Sequence, residues 1–177
     1  MELMLKDFNL LATTMRGNER DLCYELARLL EQTGDPTPNV RRTGISGLIA
    51  AKTSLDPFEV IEKFREILNE RPYEFRFAFR IIPIEKVVRT GINEILQASA
   101  ELGSRIGENE TFRVTVEKRF TQLSSQELIK AVAADINRKV DLSNPNKILL
   151  VEIVGGWTGI SLIKPDGTLS VLKEKML

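Results

Sequence analysis

The sequence predicts an α+β protein of two small domains, a ferredoxin-like βαββαβ domain over residues 1–84 followed by an α/β domain over residues 85–177. Three observations predict it. Apolar spacing switches repeatedly between period two and period 3.6. Capping chemistry marks the helix starts. A length of 177 residues leaves room for one medium domain or two small ones, at about 150 residues per domain.

Phe8 to Met15 is a short apolar strand candidate. Asn18 is placed to cap the next helix, with Asp21 in its first turn. Leu22, Leu26, Leu29 and Leu30 form the apolar stripe of that helix, and Cys23, beside Leu22, reads as a packed thiol. Residues 34–39 are loop chemistry, rich in Gly, Asp and Pro. Val40 to Thr43 and Gly47 to Lys52 are two strands around a glycine-containing turn. Asp56, Pro57 and Glu59 start a second helix: Asp caps, Pro suits the first helical position, and Glu sits where a capping box needs it. Val60, Ile61, Phe64, Ile67 and Leu68 follow on its buried side, and Arg71-Pro72 ends it. From Phe75 to Ile81 the residues alternate. Phe75, Phe77, Phe79 and Ile81 are expected on one side and Arg76, Ala78 and Arg80 on the other, a half-buried strand. The resulting order of strand, helix, strand, strand, helix, strand is the ferredoxin-like arrangement, closed at Pro83 and Ile84.

The second domain is expected to open with a helix carrying Ile92, Ile95, Leu96, Leu102 and Ile106, ended by Gly107. Phe112 to Arg119 alternates, with Phe112, Val114 and Val116 inward and Arg113, Thr115, Glu117 and Arg119 outward. Ser124 and Glu127 form a capping box for a helix carrying Leu128, Ile129, Val132, Ala133 and Ile136. Residues 140–145 make a structured loop, and Ile148 to Val154 is apolar enough to be a strand buried on both faces. Strand, helix and strand at this spacing predict a parallel crossover unit. Gly155 to Gly159 turns the chain into Ile160–Ile163, and Pro165-Asp166-Gly167 turns it again toward Leu169–Leu172.

Composition narrows the function. The sequence has no histidine and one cysteine, which removes histidine-based triads, imidazole acid–base chemistry, intrachain disulfides and multi-cysteine zinc sites. Neither a phosphate-binding G-x-x-x-x-G-K-[ST] loop nor a G-x-G-x-x-G turn is present, and Gly155-Gly156 lies between two strands, as a hairpin does. No cofactor and no metal are expected. Glu59, Glu62, Glu66 and Glu70 read as a solvated helix face. No membrane-length apolar run and no leader segment is seen, so a cytoplasmic location is expected.

Charge is balanced overall, 25 Lys and Arg against 25 Asp and Glu, but unevenly spread. Residues 1–75 carry 10 basic and 13 acidic side chains, and residues 76–177 carry 15 and 12. Basic residues collect at the boundary (Arg76, Arg80, Lys86, Arg89) and again at Arg113, Lys118, Arg119, Arg138, Lys139 and Lys147. A field of this kind suits phosphates, although a solvated surface carries a similar excess.

The segment 112–119, the helix from Glu127 to Ile136, the loop Val140-Asp-Leu-Ser-Asn-Pro-Asn146 and the strand Ile148–Ile153 together resemble the THUMP domain of RNA-modifying thiouridine synthetases, pseudouridine synthases and methyltransferases. The preceding ferredoxin-like segment is similar to the companion domain of that family, so the likeness spans nearly the whole chain. No catalytic domain is expected after it. The chain therefore resembles stand-alone THUMP proteins, and Arg80-Ile-Ile-Pro83 is similar to the same subgroup, whose eukaryotic relatives are adaptors for tRNA cytidine acetylation. The resemblance implies tRNA binding at the acceptor stem and 3′ end, no catalysis by this chain, and a separate modifying enzyme, an acetyltransferase, as partner. Under it, Arg80, Lys86, Arg89, Arg113, Lys118, Arg119, Lys139, Asn144 and Lys147 are the expected RNA contacts, with Lys118, Lys139 and Lys147 near the loop that holds Asn144. Trp157 is the candidate for base stacking, or else a cover over the core. Two other readings stand beside this one: a protein-interaction module that touches RNA little, and an enzyme in its own right.

Overall fold

The computed structural model describes residues 6–176. Among the described residues are five α-helices and two five-stranded sheets. They fall into two compact units. One runs through Ile84 and resumes at Gly167; the other is Glu85–Asp166.

The first unit runs β1 (Leu10–Thr13), α1 (Glu19–Thr33), β2 (Asn39–Arg42), β3 (Leu48–Lys52), α2 (Pro57–Glu70) and β4 (Arg80–Pro83). After the second unit come β10 (Leu169–Ser170) and α5 (Val171–Lys175). Its sheet is antiparallel throughout, in the order β10-β4-β1-β3-β2. The stripe Leu22, Leu26, Leu29 and Leu30 on α1 and the stripe Val60, Ile61, Phe64 and Leu68 on α2 pack on Leu10, Ala12, Ile49, Ala51 and Ile81 of the sheet. Cys23 packs half-buried at the margin of this core. Asp56 caps α2 as its sequence predicts, accepting from the Phe58 N–H at 2.8 Å. Asn18 sits at the N-cap of α1 but makes no capping bond with its side chain. The Glu19 carboxylate binds there instead, accepting from Gly17 N–H at 2.8 Å and Gly47 N–H at 3.3 Å. Gly47 has φ +74, and a Cβ there would lie 2.7 Å from the Thr14 carbonyl oxygen, so the turn before β3 admits only glycine.

The expected strand over 75–81 is corrected. Only Arg80–Pro83 is strand, and Phe75 and Ala78, three residues apart, are the buried members of the stretch before it. The cause is Glu25, a buried residue of α1. Its carboxylate accepts the N–H groups of Arg76 (2.7 Å), Phe77 (3.1 Å) and Ala78 (2.9 Å). The carbonyls are taken as well: Lys175 Nζ donates to Phe75 O, Thr14 Oγ1 to Phe77 O and Val171 N–H to Phe79 O. Those partners replace the ladder that a strand would need.

The expected second domain of 85–177 is too long. Residues from Gly167 onward belong to the first unit, where Leu169 and Val171 enter its core. Arg65 of α2 holds this segment, donating to Glu174 at 3.1 Å and to the Thr168 carbonyl at 3.3 Å.

The second unit runs β5 (Lys86–Arg89), α3 (Ile92–Gly103), β6 (Thr111–Arg119), α4 (Ser125–Ala134), β7 (Lys139–Val140), β8 (Lys147–Val154) and β9 (Trp157–Ile163). The sheet order is β5-β9-β8-β6-β7, with β6 parallel to β8 and β7, and β9 antiparallel to β8 and β5. β8 is central and buried from Ile148 to Val154. Gly155-Gly156 is a two-residue hairpin loop, and Gly155 at φ +60 supplies the positive angle that such turns need. β5 is a four-residue edge strand without a sequence signal of its own. The helix after it buries Ile95, Ala98, Ser99 and Leu102 and leaves Ile92 half exposed, so Ile92 is not part of the stripe. Ser124 caps α4, accepting from Glu127 N–H at 3.3 Å.

Two outcomes follow for the first unit. Glu25→Ala orphans a run of backbone donors and is expected to lower stability by about 3 kcal/mol, measured by denaturant unfolding; a change below ~0.5 kcal/mol contradicts the role given to Glu25. Asp35 is buried: burial pushes its carboxyl up, but bonds from Thr53 Oγ1, Thr37 N–H and Ser54 N–H outweigh this and hold it below its ordinary value of 3.8. A depressed folded-state pKa contributes stability that is present above the unfolded value and is lost as pH falls through the folded one. Stability is therefore expected to drop below about pH 4, and Asp35→Asn should flatten that limb of the profile.

Candidate nucleic-acid interface

Register divides the second sheet into two faces. Phe112, Val114, Leu149, Val151, Ile153, Ile160 and Leu162 point to the side covered by α3 and α4, where Ile95, Leu102, Leu128 and Val132 meet them. The other face carries the odd-numbered residues of β6 and the even-numbered ones of β8.

At the C-terminal end of β6 this second face ends in one row across four strands. Arg119 aligns with Val154, Val154 with Trp157, and Trp157 with Arg89. The guanidinium of Arg89 lies 5.0 Å from the centroid of the Trp157 ring, within cation–π range. Arg119 Nη1 is 3.4 Å from Oε2 of Glu152, a fully buried carboxylate two residues from Val154. At about 4.8 Å per strand, the two arginines stand roughly 14 Å apart with an aromatic ring between them. In that row Arg89 offers charge for a phosphate and the Trp157 ring a flat surface for a base, while Arg119 is held by Glu152.

The eight expected RNA contacts that lie in the second unit do not form one patch. Arg80 belongs to β4 of the first unit, where its N–H is held by Thr13 Oγ1. Lys86 forms an ion pair with Glu101. Lys118 is not near the Asn144 loop. It lies six residues beyond Phe112 on β6, about 20 Å along the strand, and its ammonium donates to the Leu123 carbonyl at 3.2 Å. Arg113, Lys139, Asn144 and Lys147 do gather at the start of β6, where Lys139 pairs with Thr111 and Lys147 with Phe112 in register.

Much of that cluster holds the loop itself. Arg113 Nη1 donates to the Leu142 carbonyl at 2.9 Å, and Asn146 Oδ1 accepts from Thr111 N–H at 2.8 Å. The Asn144 N–H at 3.0 Å, then that of Ser143 at 3.1 Å, binds the Asp141 carboxylate and holds its pKa below the ordinary value. Lys147 Nζ lies 2.6 Å from Glu110. Lys139 stands exposed beside them.

Phe120 was not among the expected residues. It follows Arg119 directly, is 80% exposed, and has φ +55, a left-handed conformation unusual for a bulky side chain. In sequence it reads as a continuation of the strand, and only its conformation singles it out. Among the described residues no three carboxylate or cysteine side chains gather into a metal site, and no helix is long and apolar enough to cross a membrane.

Residues 90–163 match the THUMP domain family. A THUMP domain-containing protein 1 homolog from Drosophila melanogaster is 30% identical over 96 residues, covering 50% of this chain and 30% of that protein. The structure is similar to PH1313 from Pyrococcus horikoshii Ot3, with a TM-score of 0.68 at 20% identity over 89% of this chain and 55% of that one. A 4-thiouridine synthetase solved in complex with RNA and bound ATP gives a TM-score of 0.56 at 17% identity, over 93% of this chain and 42% of that one. The chain thus spans about half or less of the length of these relatives. At such identities the likeness to the solved structures speaks for the fold.

Arg119 ties the surface to the interior. Arg119→Ala is expected to destabilise the protein by about 2 kcal/mol, because Glu152 keeps its burial and loses a cation, and adding Glu152→Gln should restore most of the loss. Thermal unfolding of the single and double variants reads this directly; additive losses would show that the pair is not coupled.

Proposed function

With residues 90–163 recognised as a THUMP domain, we propose that this chain is a tRNA-binding protein that performs no chemistry itself and presents the acceptor stem and 3′ end of tRNA to a separate modifying enzyme, a tRNA cytidine acetyltransferase. The observation that carries the reading is the match at residues 90–163, whose sheet sets Trp157 in one row with Arg119 and with Arg89, which lies just before the matched segment. A sequence with no histidine and one cysteine supports an adaptor better than a catalyst. We read the first unit as the ferredoxin-like companion, from its β4-β1-β3-β2 order, and place the protein in the cytoplasm.

A second reading has one observation in its favour. Val140 and Leu142, 45% and 70% exposed, lie at and just after the two-residue edge strand β7. An apolar sheet edge suits a protein partner, and in this reading the chain contacts the enzyme and touches RNA little.

Fluorescence anisotropy with labelled tRNA separates the two. If about five phosphates are neutralised, log K against log salt should fall with a slope of roughly −3 to −5. Arg89→Ala together with Lys139→Ala should weaken binding and flatten the slope by roughly 1 to 2. Absence of binding at low salt overturns the tRNA reading and favours the protein-contact one. Acetyl transfer to tRNA by the isolated chain would overturn the non-catalytic part.

A further inference from the structure

Charge in the second unit is sorted by layer. The segments that carry its helices, residues 90–110 and 120–138, hold six acidic and three basic side chains. The rest of the unit, which carries the strands, holds five acidic and eight basic. The helical layer is therefore the side least suited to phosphate.

A groove runs between the two helices of that layer. Ile92, at the start of α3, faces Leu123, Leu128 and Ala131 across a cavity of about 280 Å³, which Glu127 also lines. Ala100 and Gly103, near the end of α3, face Asp135 and Ile136 across a smaller one of about 150 Å³. The helices thus run in the same direction, and the gap between them narrows toward their C-terminal ends. Gly103 sets the narrow end, since a Cβ there would lie 2.8 Å from Cδ1 of Ile136.

Folding explains only part of what lines this groove. Ile92 is 48% exposed at its wide end. Glu127 suits the first turn of α4, but Asp135 stands at the C-cap, the negative end of the helix dipole, where an acid costs stability. Both carboxylates are exposed, and neither has an ion-pair partner among the described residues. The nearby cation Arg138 donates to the carbonyls of Ile106, Gly107 and Asn137. Eight residues separate Glu127 from Asp135, about 12 Å along α4.

An apolar floor with a carboxylate toward each end matches an amphipathic helix that has one apolar stripe and cations two turns apart. A lipid surface would need a wider apolar face. The helical layer of a second copy of this chain would set acid against acid. We propose that the α3/α4 groove is a protein-docking site for a basic amphipathic helix of a partner, with apolar side chains against Ile92, Leu123 and Leu128 and cations against Glu127 and Asp135. The inference rests on the part of the reading above in which a separate protein is met, and it is independent of tRNA binding. It puts that contact on the layer opposite the row of Arg89, Trp157 and Arg119.

The test uses the full chain and a fluorescein-labelled helical peptide about as long as α3, with leucines one turn apart on one face and lysines two turns apart beside them. The natural protein is expected to bind it, and to bind a twin carrying glutamates for the lysines roughly tenfold more weakly. Glu127→Lys combined with Asp135→Lys should reverse that order, so that the glutamate twin binds better. Ile92→Ser should weaken the lysine peptide roughly fivefold and leave the affinity for tRNA unchanged. All three side chains are exposed, so unfolding midpoints should stay close to the natural one, which separates lost contact from lost fold. Absence of peptide binding, or binding that ignores either the charge exchange or Ile92→Ser, overturns the groove and leaves the tRNA reading standing. Absence of tRNA binding overturns that reading and not this one. A loss of tRNA affinity in Ile92→Ser overturns the proposal in favour of an RNA surface. Self-association of the natural protein in sedimentation that Ile92→Ser abolishes overturns it in favour of a second copy of this chain.

Discussion

Glu25 is the constraint on which the first unit turns. A carboxylate buried in the middle of α1 would be expensive alone, and it is tolerated because three consecutive backbone N–H groups point into it. The cost and its compensation fix each other: the carboxylate is buried where the 76–78 segment supplies three donors, and those donors are met by its two oxygens. The result is a rigid approach to β4 that delivers Arg80–Pro83 into register with β1 on one side and β10 on the other. Sheet order in this unit is thus tied to a polar contact as well as to the leucine stripe of α1.

The second unit is organised differently. Its centre, β8, is buried on both faces and needs neighbours on both sides, which the parallel β6 and the antiparallel β9 provide. Helices cover one face, the other is buried as well along β8, and register decides which side chains stand at its margin, Arg119, Trp157 and Arg89. Because Arg119 and Trp157 both oppose Val154, a shift of one residue in either pairing would turn one of them away. The pairing of Arg119 with buried Glu152 means that charge offered at the surface and integrity of the sheet are linked at one position.

Much of this was legible in the chain and some was not, for physical reasons. The leucines at 22, 26, 29 and 30, the capping residue Asp56 and the alternation over 112–119 are local signals, and the elements they mark are present. The stretch 75–79 alternates equally well yet is not strand, because its donors find a side chain fifty residues earlier. Strand β5 carries no local mark because its identity comes from β9, some seventy residues later. For the site, sequence counts charges but does not see who neutralises them. Lys86, Lys147 and Arg119 each meet a carboxylate distant in the chain, and Lys118 was placed at the wrong end of its strand.

The return of Gly167 onward to the first unit has a consequence for biosynthesis. Leu169 and Val171 lie in the core with Leu10 and Leu22, and Arg65 waits for Glu174. On the ribosome, residues 6–84 remain an incomplete unit, its β4 edge open, until the residues from Gly167 onward have been made. The first unit is then completed only when Leu169 and Val171 reach it, after the whole intervening unit, so its folding is tied to synthesis of a segment more than eighty residues later.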